Sequence, residues 1–484
     1  MFYTSTRGGG EPLSAAEAIL QGLAVDGGLL VPETFPLYFP VDLAEKPYQQ
    51  LAMEIFSLYL TDFTSREIEQ VVNGAYQLIA FPDGPAPCSF LENGPTILEL
   101  WHGPTSAFKD MALQVLPRLM SVARKKAGIQ QEIVILVATS GDTGKAALEG
   151  FKDVDGIRII VFYPAGGVSS IQELQMVTTG GKNTAVVGVD GNFDDCQNGV
   201  KAIFSGEPFA RFSSANSINW GRLLPQIVYY FYAYGQMVNQ GRISMGQPID
   251  ICVPTGNFGN ILAGCYAQRM GLPVGRFICA SNENNVLTEA LRDGLYDCRR
   301  PFYRTDSPSM DILVSSNFER FLYLCSGNDP VYTAQLFAQL KEDGFYQVAQ
   351  NVRAAWNDRM TADWADQKET AAAIFNVWQQ YHYLLDPHTA VAYAVSEKMS
   401  SSSPGCPRLI VSTASPYKFP GYVLQSLGKD INGVDEMDLP RLLHQCSGIP
   451  IPPNIGELEA LPIRHKLRCK VAQMPWMVRQ ILAS

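Results

Sequence analysis

The chain has no C-x-x-C pair among its 10 cysteines, no block of positive charge and only 5 histidines. No run of apolar residues approaches the roughly 20 that a membrane-spanning helix needs, so no membrane segment is expected. Scattered cysteines, with Cys252 and Cys279 inside apolar strand-like runs, suit buried free thiols in a reducing compartment better than a disulfide framework. The histidines show no H-E-x-x-H or other ligand spacing, so no metal site is expected. A net charge of −10 argues against a nucleic-acid surface, which would be basic. The opening Met1-Phe2-Tyr3-Thr4-Ser5-Thr6-Arg7 has neither the apolar core of a signal peptide nor the Arg-rich amphipathic character of a transit peptide. A cytoplasmic protein is therefore expected. What is present is 484 residues, 46% hydrophobic and 17% charged, enough for two or three domains with a large buried interior.

The first 95 residues predict an opening helix over 14–23, with Ser14 as N-cap and Glu17 three residues on. Asp26-Gly27-Gly28 reads as a turn, 48–60 and 65–78 as further helices, and the Pro/Gly-rich 81–87 as a linker. Beyond it, His102-Gly103-Pro104-Thr105-Ser106-Ala107-Phe108-Lys109-Asp110 places one lysine at a turn-to-helix junction. Such a lysine is ordinarily solvated; held in a semi-apolar pocket, its pKa would fall and its amine could form a Schiff base.

Two later loops bear on that choice. The β-branched run Ile133 to Ala138 passes straight into Thr139-Ser140-Gly141-Asp142-Thr143-Gly144-Lys145 and then a helical stretch. A strand, a glycine loop and a helix N-terminus together make an anion site. It is not a P-loop, because Thr139 stands where that pattern needs Gly and Ala146 where it needs Ser or Thr. The run Ile249 to Pro254 likewise meets Thr255-Gly256-Asn257-Phe258-Gly259-Asn260, which lacks the dinucleotide G-x-G-x-x-G. Strands alternating with helices over this span predict parallel α/β architecture, and 311–379 reads as a helical insertion beside it. Between the loops, Ser214 to Arg222 gathers hydroxyl, amide and guanidinium groups, either as a surface loop or as a polar pocket wall.

Trp101 to Asp110 resembles the pyridoxal-phosphate lysine motif of the threonine synthase family, within the fold-type II (tryptophan-synthase-β-like) enzymes. Ser5-Thr6-Arg7-Gly8 and Gly22 to Leu29 are similar to the N-terminal region of the longer class in that family. The resemblance runs from Ser5 to about Phe419 through separated motifs in family order. It implies two open, mainly parallel α/β domains after an N-terminal domain: 1–95, then 96–245 with the lysine and the substrate-carboxylate loop, then 246–484 with the cofactor-phosphate loop. It implies pyridoxal 5'-phosphate bound by Lys109, with Gly256, Asn257, Phe258 and Asn260 at its phosphate. Thr413 would sit at the pyridine nitrogen. Thr139, Ser140, Gly141, Asp142 and Thr143 would hold the substrate carboxylate, and Asn216, Ser217, Asn219 and Arg222 would line the substrate pocket. His388, in Asp386-Pro387-His388-Thr389-Ala390, most simply fixes its turn. Many relatives carry His where this chain has Ser415.

A hydroxyl at the pyridine nitrogen leaves the ring a weaker electron sink than a carboxylate would, which suits elimination and replacement at the β and γ carbons better than transamination. The implied reaction converts O-phospho-L-homoserine and water to L-threonine and phosphate, by γ-elimination and then addition of water at the β-carbon. Lys109 would act as general base. A phospholyase giving 2-oxobutanoate, or a non-catalytic relative acting as a binding module, are the alternatives. The partner implied is a small molecule, and the protein a monomer or homodimer.

Overall fold

Runs of β-branched residues bounded by glycine loops form the strands of two largely parallel sheets. The computed structural model describes residues 1–139, 141–206, 209–357, 359–400 and 405–483. One sheet has six strands in the order Met360–Trp364, Val274–Ser281, Ile249–Pro254, Arg408–Ser412, Thr96–Glu99 and Cys88–Phe90. All neighbours are parallel except the last pair. The other sheet is wholly parallel, in the order Leu467–Lys470, Thr184–Asp190, Ile157–Pro164, Ile133–Ala138 and Arg211–Ser213.

Burial follows from the two-residue period of a strand. In Ile133–Ala138, Ile133, Ile135 and Val137 join the largest apolar cluster, while Val134 and Leu136 join a separate one on the opposite face. Helices therefore cover both faces, as expected for parallel sheets. The 20-residue helix Trp220–Asn239 is buried along most of its length and packs against Tyr48–Tyr59 of the N-terminal region.

Sheet membership does not follow the sequence blocks 96–245 and 246–484. The strand Thr96–Glu99, which leads to Lys109, pairs with Arg408–Ser412 in the same sheet as Ile249–Pro254. The late strand Leu467–Lys470 returns to the other sheet beside Thr184–Asp190. Parallel neighbours need long crossovers, so residues adjacent in a sheet come from distant parts of the chain. The span 311–379 is more than an added helical layer, since Met360–Trp364 within it is the edge strand of the six-stranded sheet. The helix expected over 65–78 ends at Ala75, where Tyr76 leaves helical geometry and donates its hydroxyl to the Met111 carbonyl at 2.9 Å.

The N-terminal motif has a structural task. The Asp26 carboxylate accepts the Ser5 hydroxyl and the amides of Gly9 and Gly28. Arg7 forks onto Glu319 at 2.9 and 2.8 Å. These bonds tie the N-terminal region to the helix Phe318–Cys325.

Candidate active site

Lys109 is the first residue of the helix Lys109–Leu113, on a loop clipped to the end of the strand Arg408–Ser412. The Leu100 amide donates to the Ser412 carbonyl at 3.0 Å, Phe108 to Thr413 at 2.8 Å, and Ser415 back to Ser106 at 3.0 Å. Inside the loop, the buried Asp110 carboxylate accepts the Thr105 amide and hydroxyl, each at 2.8 Å. Burial pushes Asp110 up to about 6 against those bonds. Gly103 is required there, because a Cβ would lie 2.6 Å from Asp110.

The Lys109 Nζ donates to the Ser309 Oγ at 3.3 Å and lies 5.3 Å from the Phe108 ring centre. Burial pushes its pKa below the ordinary lysine value; Asp142 pulls it upward, while Lys418 and Arg222 push it further down. A lysine so placed spends more of its time as the neutral, nucleophilic amine.

The substrate-carboxylate loop expected at 139–143 divides its tasks. The Thr139 hydroxyl accepts the amides of Gly141 and Gly144 at 3.0 and 2.9 Å, so it shapes the loop. Gly141 sits at φ +140°, a region open to glycine. Asp142 and the partly buried Thr143 begin the helix Asp142–Phe151, whose N-terminus attracts anions. Ser140 lies outside the described residues. The Asp142 carboxylate meets the Lys418 Nζ at 2.8 Å in a nearly buried ion pair, and Lys418 also donates to the Thr105 carbonyl at 3.0 Å. Burial opposes ionisation of Asp142, but Lys418 and Lys109 outweigh it and hold this carboxyl well below the usual range.

In the segment 216–222, Arg222 is buried and within electrostatic reach of Lys109. Its Nη1 donates to the Ala215 carbonyl at 2.7 Å, its Nε has no partner among the described residues, and burial pushes it down to about 10. Asn219 is committed elsewhere. Its side chain caps the helix Trp220–Asn239 through the Gly221 amide and donates to the Ile19 carbonyl, both at 2.9 Å. Asn216 is exposed and Ser217 partly so; the latter's carbonyl accepts from Asn317 at 3.2 Å.

The loop at 256–260 is built for close backbone approach. A Cβ on Gly256 would lie 2.8 Å from the Ser309 carbonyl oxygen. Asn257 is exposed on the loop. Phe258 adopts φ +52° before the helix Gly259–Arg269, and its ring packs in the core 5.0 Å from Phe318. Only its backbone therefore faces the loop. The Asn260 Oδ1 accepts the hydroxyls of Tyr229 and Tyr230 at 2.5 and 2.7 Å, which leaves its Nδ2 buried with no partner among the described residues. An orphaned donor beside a helix N-terminus fits the phosphate of a cofactor. Thr413, at the strand end, is buried beside the Lys109 loop. Substituting Gly256→Ala is expected to push the Ser309 turn aside at a cost of about 1–3 kcal/mol. Equilibrium dialysis should show weaker retention of pyridoxal phosphate, with the circular dichroism spectrum unchanged.

Lys418 and Ser309 were given no role from sequence. Tyr417-Lys418-Phe419 places the lysine between two aromatic residues, as Phe108 flanks Lys109, and that is the sequence signal Lys418 carries. Ser415, the position of the family histidine, is fully buried and its hydroxyl accepts the Tyr417 amide at 3.3 Å, capping the turn that delivers Lys418. His388 is buried, with Nδ1 2.9 Å from the Asp386 Oδ1 and Nε2 accepting the Ser309 amide at 3.1 Å. It does more than fix its own turn.

Three family models match: Threonine synthase N terminus over residues 2–76, Pyridoxal-phosphate dependent enzyme over 97–336, and Threonine synthase, C-terminal over 389–465. The chain is similar to Threonine synthase-like 1 of Homo sapiens, at 39% identity over 94% of this chain and 63% of that protein. It thus spans less than two thirds of that relative's length. Similarity to Threonine synthase of Saccharomyces cerevisiae is 36% over 92% of this chain and 93% of the other. Among solved structures, PLP-bound threonine synthase from Brucella melitensis matches with a TM-score of 0.89 and 34% identity, over 99% of each chain.

Proposed function

The chain belongs to the threonine synthase family of pyridoxal-phosphate-dependent, fold-type II enzymes, and from that premise we propose that it converts O-phospho-L-homoserine and water to L-threonine and phosphate. The observation that carries this reading is the company of Lys109. A buried amine with a lowered pKa lies within reach of two further cations, Lys418 and Arg222, set against the carboxylates Asp142 and Asp110. Such a site has room for anionic charge, as a phosphorylated amino acid would bring.

The cofactor, when bound, supplies an electron sink for negative charge developing at the substrate α-carbon. Lys109 would hold it, with its phosphate against the backbone of 256–258 and the Asn260 Nδ2, and Thr413 beside its ring. Lys109 takes and returns the substrate protons. The N-terminus of Asp142–Phe151, with Thr143, holds the substrate carboxylate. Arg222 offers to the leaving phosphate the Nε that has no partner among the described residues, and Lys418 adds a second positive charge. Burial strengthens each charge interaction around Lys109. The ten free cysteines support a place in the cytoplasm.

One observation favours a second outcome at the same site. With Ser415 occupied in capping a turn, this position offers no imidazole to return a proton, and a protein that cannot finish water addition would release 2-oxobutanoate. Phosphate release tests the shared first half of the reaction: protein loaded with pyridoxal phosphate should release one phosphate per O-phospho-L-homoserine consumed. No release would rule out both outcomes.

A further inference from the structure

Ser309 sits in the middle of the short turn Pro308–Met310 and meets three parts of the site at once. Its Oγ accepts from the Lys109 Nζ at 3.3 Å, its carbonyl oxygen faces the space that Gly256 leaves open, and its amide donates to the His388 Nε2 at 3.1 Å. We propose that Ser309 is a positioning residue for the Lys109 amine, held in place by the buried Asp386–His388 pair. This rests on the assignment of Lys109 as the cofactor lysine.

The arrangement has one consistent set of hydrogens. The Asp386 carboxylate caps the helix Pro387–Met399, accepting the amides of His388 and Thr389 and the Thr389 hydroxyl. The Ser309 amide can only donate, so Nε2 carries the lone pair and Nδ1 the hydrogen that reaches the Asp386 Oδ1 at 2.9 Å. Phe419 packs edge-on against the imidazole at 5.0 Å and fixes its plane.

The turn is anchored on its other side as well. The Asn282 Nδ2, just past the strand Val274–Ser281, shares its two hydrogens among the Thr305 hydroxyl at 2.8 Å, the Ser307 hydroxyl at 2.9 Å and the Asp311 carboxylate at 2.8 Å. With its backbone pinned at both flanks, Ser309 presents its hydroxyl at a set point. When Lys109 is not bound to cofactor, that hydroxyl keeps the amine beside the 256–260 loop. The charged groups acting on the amine are Asp142, Lys418 and Arg222 from neighbouring elements and Asp110 from its own helix. Ser309 adds a directed, uncharged acceptor to this balanced field.

The test uses the full chain stripped of cofactor, with pyridoxal phosphate as the probe. Its capture by Lys109 is followed by visible absorbance across a pH series, and kcat and KM for phosphate release are measured separately. S309A should slow capture roughly tenfold, the scale of one hydrogen bond to a charged or reacting group, shift the pH midpoint of capture, and lower kcat with KM nearly unchanged. H388L should do the same, and the S309A/H388L double variant should be no slower than either alone. H388Q, whose side-chain oxygen can accept the Ser309 amide, should recover most of the rate, and it carries the test with S309A if H388L does not fold. S309A matching wild type in rate and pH profile, or additive effects in the double variant, would overturn the positioning role alone. Wild-type protein that captures no pyridoxal phosphate would overturn the assignment of Lys109, and this inference with it.

Discussion

Lys109→Ala is expected to abolish covalent attachment of pyridoxal phosphate and to lower phosphate release from O-phospho-L-homoserine by about 10⁴-fold, the upper range for loss of a positioned general base. Two changes are combined in that loss: the covalent anchor and the group that moves protons at the α-carbon. The variant should still fold, because the helix Lys109–Leu113 is held by backbone bonds and by Asp110, not by the lysine side chain. The pH dependence of the wild-type protein adds a check. Attack on a carbonyl needs the neutral amine, and burial lowers the Lys109 pKa. Capture of pyridoxal phosphate should therefore begin at lower pH than with an exposed lysine. Visible absorbance during a pH titration measures it, and an onset no lower than for a free lysine would contradict the burial argument.

Breaking the Asp142–Lys418 pair is expected to have the second-largest effect. Asp142→Asn leaves the Lys418 cation, only 3% exposed, without its carboxylate. Stranding one member of a buried pair typically costs about 3–5 kcal/mol, which urea unfolding would report as a lower midpoint. The sign of the acid dependence follows from the depressed Asp142 pKa. The stabilisation is fully present above the unfolded carboxylate value near 3.9, and it is lost only as pH falls through the much lower folded value. Between pH 5 and 8 the difference between wild type and Asp142→Asn should stay constant. The same pair makes opposite predictions for Lys109. Removing Asp142 removes an attraction and lowers the amine pKa, whereas Lys418→Met removes a repulsion and raises it. The pH midpoints of cofactor capture should move in opposite directions in the two variants. Movement in the same direction would contradict the electrostatic account of this site.

The local structure of the candidate site is legible in the sequence wherever its parts are local. Ile133 to Ala138 and Ile249 to Pro254 declare themselves as buried strands by β-branched composition, and the glycine loops that follow open helices where expected. Ser14 with Glu17 announced a capping box, and the box is present. What was hidden depends on distant partners. Asn219 reads as a pocket amide, yet it caps a helix and reaches Ile19, a bond that spans 200 positions. Lys418 gains its meaning only when the end of one sheet's strand meets the helix N-terminus of the other. Ser309 lies on a turn with no pattern of its own, and its place is set by Asn282, Gly256 and His388 from three other elements. The assignment of 96–99 and 467–470 to their sheets was likewise unreadable, because parallel pairing carries no local turn signal.

The most direct measurement is the identity of the product. Purified protein loaded with pyridoxal phosphate should be incubated with O-phospho-L-homoserine in deuterated water and followed by proton NMR. L-threonine is the expected product, with deuterium incorporated at carbon and phosphate released in equal amount. Formation of 2-oxobutanoate with ammonia in place of threonine would contradict the assigned reaction while leaving the cofactor site intact.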